Sequence, residues 1–185
     1  MSQKSQQDWV DGAIVALGNG GIDAVRVEPL AKALGVSKGS FYHHFDNRRS
    51  LLLALLDQWE QLGTSAIIDE TERTSSEPAG QLAALVRIAC RPDVLGDAVE
   101  TSIRTWASSD EIARDAVARV DARRLDYVIA LLCATGMKKP LARRRAAMFY
   151  RIIIGDTTWR LAGGPPHSKR ELDDLAALLL SPAPS

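Results

Sequence analysis

Apolar residues recur three and four positions apart along almost the whole chain, and no five-residue stretch alternates between turn signals as a half-buried strand does. The pattern predicts an all-α protein of about nine helices. The first runs from about Gln6 to Leu17, with Trp9, Ala13, Ile14, Ala16 and Leu17 as its apolar stripe, and GNGG at 18–21 ends it. Those glycines follow a helix and lack the lysine of a phosphate-binding loop, so they read as a stop. A short second helix starts near Glu28, where Pro29 suits the first turn, and closes at Gly35. Ser37 is placed to cap a third, KGSFYHHF, and a long fourth helix follows the DNRR turn through SLLLALLDQWEQLGTSAIID.

The polar stretch ETERTSSEPAG around 70–80 is the best break in this pattern. Beyond it helices are predicted at about 80–90, 93–107, 110–134, 139–162 and 169–180, separated by RPD, SSD, TGMKKP and GGPPHS. No internal repeat is present in the sequence.

Composition narrows the class. With 46% apolar and 25% charged residues the chain is expected to fold as a globular protein. Lysine plus arginine equals aspartate plus glutamate at 23 each, so no global field draws it to nucleic acid or acidic membranes, and any anion binding has to be local. Cys90 and Cys133 each lie in an apolar helical context, which suits buried thiols in a reducing compartment better than a disulfide. MSQKSQQDWVDG has no signal-peptide core, and the longest apolar run, VIALLCA at 128–134, is too short to span a bilayer; a cytoplasmic location without a membrane partner is expected.

The stretch LAKALGVSKGSFYHHF at 30–45 carries the densest chemistry. Two short helices joined by a tight glycine turn have the geometry that lays a second helix in the DNA major groove. Gly35 suits the left-handed turn, Val36 the corner, and Ala31 a close helix approach, while Leu30, Leu34, Phe41 and Phe45 form a buried side. Lys38, Gly39, Ser40, Tyr42, His43 and His44 remain on an outer arc that is polar, cationic and aromatic, with Arg48 and Arg49 beyond it. On spacing alone this arc suits a structural surface, with Tyr42 packed on the first helix, as well as it suits DNA.

VRVEPLAKALGVSKGSFYHHFDNRRSLL resembles the DNA-binding signature of the TetR family of bacterial repressors, over about residues 10–56. The resemblance implies a homodimer on a palindromic operator, with a helix-turn-helix DNA-binding domain at 1–50 and a helical ligand-sensing and dimerisation domain at 51–185. It further implies release by an unknown small-molecule inducer. Carried across by position, Ser37, Tyr42, His44 and Arg48 correspond to phosphate contacts, and Lys38, Gly39, Ser40 and His43 to residues facing base edges. Two positions depart from the pattern. Arg26 stands where relatives often carry a helix-capping threonine and replaces it as a phosphate contact, and Asp46 stands where lysine is common, which weakens non-specific affinity. A helical module that has lost DNA binding, and an activator of the same fold, are the alternatives.

Catalysis and metal chemistry are not expected. The one histidine outside the helix-turn-helix, His167, sits in GGPPHS, and Glu111, Asp115, Asp121 and Asp126 interleave with Arg114, Arg119, Arg123 and Arg124 as a solvated, ion-paired helix face. His43 and His44 are adjacent, so on a helix they point roughly 100° apart and complete no ligand set. No cofactor is implied.

In the C-terminal half, AAMFYRIIIG is apolar on several sides and Leu172, Leu175, Ala176, Leu178 and Leu179 add a second stripe, so two helices from each copy can form a four-helix interface. The arginine run 143–145 reads as a solvated helix start. A ligand pocket is expected among the helices of 80–162, with Trp106, Tyr127, Phe149, Tyr150 and Trp159 as walls and Arg104 or Arg151 as a polar anchor.

Overall fold

The computed structural model describes residues 4–182. Among these, every regular element is helical: α1 (Gln6–Gly20), α2 (Val27–Leu34), α3 (Lys38–Phe41), α4 (Arg48–Glu60), α5 (Ala66–Thr74), α6 (Pro78–Ala89), α7 (Val94–Ala107), α8 (Glu111–Ala134), α9 (Lys139–Leu161) and α10 (Lys169–Leu180). The expected fourth helix is two elements, because a π-helical turn at Gln61–Ser65 interrupts it between α4 and α5. No described helix is long and apolar enough to cross a membrane.

The chain divides into two compact units, Met1–Gln61 with Val94–Ala118 and Leu62–Asp93 with Arg119–Ser185. The polar stretch at 70–80 is therefore not a boundary; it joins α5 to α6 inside the second unit.

In the first unit α1 packs against α2, α4 and α7. Ser5 caps α1 in a reciprocal box with Asp8, and the helix runs three residues past Leu17 before Gly21, at φ 67°, ends it. It passes through Gly18 because α7 lies so close there that a Cβ would meet Leu95 Cδ1 at 2.9 Å. Trp9, Leu17, Val25, Phe41, Leu51 and Leu55 are fully enclosed. The Phe41 ring meets Trp9 edge-on at 5.3 Å and stacks on Phe45 at 5.4 Å, so α3 is pinned to the bundle by aromatic contacts. Losing the Phe41 ring would cost about 3–5 kcal/mol.

The second unit is built on Leu82, Leu85 and Val86 of α6, Val128, Leu131 and Leu132 of α8, Ala142, Ala146 and Phe149 of α9, and Ala176 and Leu179 of α10. The arginine run is not uniformly solvated. Arg143 and Arg144 are exposed, but Arg145 reaches the end of α10 and donates to the carbonyls of Leu179 (2.7 Å), Ser181 and Pro182 (3.1 Å), satisfying carbonyls that a helix end leaves open.

Candidate nucleic-acid interface

The turn between α2 and α3 is built as its residue types require. Gly35 adopts the left-handed conformation (φ 70°, ψ 31°), its N–H reaches Lys32 O at 3.2 Å, and the Val36 N–H reaches Ala31 O at 3.0 Å, a Schellman closure of α2. Ser37 follows as the first residue before α3, but its hydroxyl makes no capping bond. The α-helix then covers only Lys38–Phe41, shorter than the 38–45 expected, and 42–44 continue as tight turns in which the His43 and His44 N–H groups reach back three residues to Ser40 and Phe41. The two phenylalanines four apart still face inward, so the side-chain arc keeps its sense although the helix does not continue through it.

Arg26, Ser37, Lys38, Gly39, Tyr42, His43 and Arg48 are all exposed, and Ser40 is half-buried. Tyr42 leaves 56% of its surface open, so packing does not explain it. Two of the residues have partners within the chain that the sequence did not announce, and a third is turned inward. The Lys38 ammonium pairs with Glu28 on α2, which holds the Glu28 carboxyl below its ordinary range and raises the lysine. Arg48 donates from Nε to Val25 O (2.6 Å) and from Nη2 to Ile22 O (2.8 Å), tying the start of α4 to the loop before α2. His44 turns Nε2 inward, buried and with no hydrogen-bond partner among the described residues, so that nitrogen is not positioned as a phosphate donor. Arg26 precedes α2 in extended conformation without capping it.

Residues 10–55 match the model of the family described as "Bacterial regulatory proteins, tetR family". This segment is similar to the helix-turn-helix DNA-binding region of that family. The nucleoid occlusion factor SlmA of Haemophilus ducreyi is 38% identical over 68 residues, 36% of this chain and 34% of that protein, so the match spans about a third of that curated relative's length. The TetR-like fold extends further than the sequence match. A transcriptional regulator from Rhodococcus sp. Rha1 superposes with a TM-score of 0.78 at 17% identity, covering 96% of each chain. A putative transcriptional regulator from Saccharomonospora viridis, solved in complex with choline, gives 0.76 at 20% identity over 94% of this chain and 92% of that one.

The residues expected around a ligand are divided between the units. Arg104 and Trp106 lie on α7 in the first, where Arg104 Nε donates to Glu100 at 2.8 Å and Trp106 is buried. Tyr127, Phe149, Tyr150 and Trp159 lie in the second. There Phe149 belongs to the core, whereas Trp159 is 59% exposed and lines no interior, and Arg151 is exposed. Tyr150 and Tyr127 remain as inward polar groups. The Tyr150 hydroxyl donates to Asp121 at 2.6 Å and accepts from Arg124 Nη1 at 3.5 Å, while Arg124 Nε donates to Thr64 Oγ1 in the π-turn at 2.9 Å. The Tyr127 hydroxyl is buried without a hydrogen-bond partner among the described residues, and burial pushes it up to about 12. Asp121 and Arg124 were expected on a solvated face; both are half-buried and form the polar centre of this unit.

Proposed function

We propose that this protein is a ligand-released transcriptional repressor that binds a palindromic operator as a homodimer, with 1–50 holding DNA and 51–185 sensing and dimerising. The observation that carries the reading is the exposed face after the Gly35 turn: Lys38, Gly39, Tyr42 and His43 stand clear of the core while Phe41 and Phe45 anchor the same segment. Tyr42 supplies a phosphate contact, with Ser37 and Arg26 beside it, and Lys38, Gly39, Ser40 and His43 face the bases. Arg48, tied to the carbonyls of Ile22 and Val25, positions the start of α4 beside this face.

The homodimer is supported by α9. Met148, Ile152, Gly155 and Trp159 recur at one-turn spacing and are all exposed, with Met148 at 63% and Ile152 at 41%, and Leu178 on α10 adds another 66% exposed apolar side chain. For the sensing step, the Thr64–Arg124–Tyr150–Asp121 chain with the unpartnered Tyr127 hydroxyl gives a small ligand polar groups to engage inside the second unit. A ligand releases DNA only if it binds the released state more tightly than the DNA-bound one.

The test is selection of bound sequences from a random duplex pool by the purified protein, then affinity for the winner across a salt series. A palindrome bound with a steep salt slope is the expected result. Failure to enrich any sequence in the ligand-free protein sinks the reading and favours a helical module that has given up DNA, a change that the Lys38–Glu28 pair and the exposed Asp46 would both serve.

A further inference from the structure

Three residues far apart in sequence meet in the second unit: Cys90, which ends α6, Asp156 in α9, and His167 in the loop before α10. Their donor atoms all lie within 4.8 Å of one another. Cys90 and Asp156 are buried, at 2% and 7% exposure, and His167 closes the cluster from the solvent side. We propose that these three side chains form a binding site for a borderline-soft divalent transition metal of the Zn²⁺ or Co²⁺ kind.

The contact between the imidazole and the carboxylate carries the argument. His167 Nε2 lies 3.1 Å from Asp156 Oδ1, yet this buried nitrogen makes no hydrogen bond with it or with any other described residue. Two donor atoms that stand side by side without bonding are arranged as neighbouring ligands are around a common ion. Zinc–nitrogen and zinc–oxygen bonds of about 2.0–2.1 Å at a tetrahedral angle place the two ligand atoms roughly 3.3 Å apart. The observed edge is thus already close to that of a metal centre, with the Cys90 sulfur within 4.8 Å of both atoms.

The donor set selects the metal. A sulfur and an imidazole nitrogen beside one carboxylate suit zinc or cobalt, whereas magnesium and calcium require oxygen cages. The other carboxylate oxygen, Oδ2, is held by Arg160 of the same helix, so the arginine orients the carboxylate from behind and leaves Oδ1 toward the site. Its positive charge makes an anionic fourth ligand favourable. Three protein ligands leave a fourth position open, the arrangement of a site that exchanges ligands rather than a closed structural one.

The experiment is titration of the reduced, full-length protein with Co²⁺, followed by absorption and by displacement with Zn²⁺. The expected result is one cobalt per chain, with tetrahedral visible bands and a near-ultraviolet thiolate-to-cobalt band that zinc abolishes. Cys90→Ser should lose the thiolate band. His167→Gln, placed in a loop where far-ultraviolet circular dichroism should stay unchanged, should weaken cobalt binding by at least about tenfold. No saturable binding, a thiolate band that survives Cys90→Ser, or unchanged affinity in His167→Gln would overturn the proposal. DNA plays no part in this readout, so its outcome is independent of the operator reading.

Discussion

At the scale of single residues, the exposed face after Gly35 splits into side chains free to meet DNA and side chains already engaged. Tyr42 is exposed, and on the proposed reading, as a phosphate contact, its loss should be felt equally on every sequence. Lys38, assigned there to base edges, should matter unequally. Tyr42→Phe is therefore expected to weaken binding uniformly across operator variants, and Lys38→Ala to weaken it while flattening base preference near the recognition helix; equal, sequence-independent losses from both would remove the division of roles. Glu28 adds a finer test, because it holds the Lys38 ammonium against α2. In DNA-bound protein that lysine has to leave a carboxylate for a base edge or a phosphate, so Glu28 opposes binding. Glu28→Gln should raise affinity for all DNA and steepen the dependence of log K on log salt, by up to about one unit of slope per freed cation. A fall in affinity measured by fluorescence anisotropy would instead make the pair a positioning contact.

At the scale of helices, most of the architecture is legible because each element has an amphipathic stripe and a chemical stop: Asn47 caps α4, Ser168 caps α10, and Gly35 closes α2. What escapes the pattern is whatever depends on a distant neighbour. Phe41 and Phe45 suit one continuous helix, yet α3 stops at Phe41, since a four-residue spacing is met equally by a helix and by the tight turns that follow. The run from α4 into α5 reads as uninterrupted, and no residue type marks the π-turn at 61–65. Asp121 and Arg124 look like surface charges until Tyr150 and Thr64 are brought to them, and the Cys90–Asp156–His167 meeting has no local spacing at all. Gly18 shows how a neighbour decides a residue's meaning. Ala is normally the better helix former by about 1 kcal/mol, but here its Cβ would meet Leu95 at 2.9 Å and Val99 at 3.3 Å. Leu95 Cδ1 is the far end of a flexible, partly exposed side chain that can swing aside, but buried Val99 has to give way. Gly18→Ala is therefore expected to gain less in denaturant titration than the roughly 1 kcal/mol of the propensity scale. The caps also make helix stability depend on pH. The backbone N–H of Ser168, and then its hydroxyl, lower the Glu171 carboxyl, so its contribution is complete above the ordinary carboxylate range and is lost as pH falls through the depressed value. Glu171→Gln should lower the melting temperature at neutral pH, and the gap from the parent should narrow as pH falls through the depressed value; a gap that stays constant into strong acid would show that the charge is not what stabilises this cap.

At the scale of the whole molecule, the proposed function requires one helix-turn-helix of a neutral chain to gain operator specificity. A single module neutralises few phosphates, and with 23 cationic against 23 anionic side chains the rest of the surface adds no net attraction. Two modules held at fixed spacing engage two half-sites, and the second contact is then made at high effective concentration. In the proposed homodimer, dimerisation is in this sense part of the DNA-binding chemistry, and the exposed α9 stripe is where it should be broken. Ile152→Glu places a charge at the middle of Met148, Ile152, Gly155 and Trp159 without touching the described core. It is expected to give a folded monomer in sedimentation and to reduce operator affinity by more than about tenfold, with the remaining binding falling to a shallower salt slope as half the phosphate contacts are lost. Gly155→Ala probes the same face from the opposite direction. Within one chain nothing lies within 4 Å of its Cβ, so helix propensity alone predicts a small rise in melting temperature. A close helix approach between copies predicts weaker dimerisation in the same variant, because the added methyl would occupy the space through which the partner comes near. Ile152→Glu remaining dimeric, with Gly155→Ala dimerising as the parent does, would move the interface off α9 altogether.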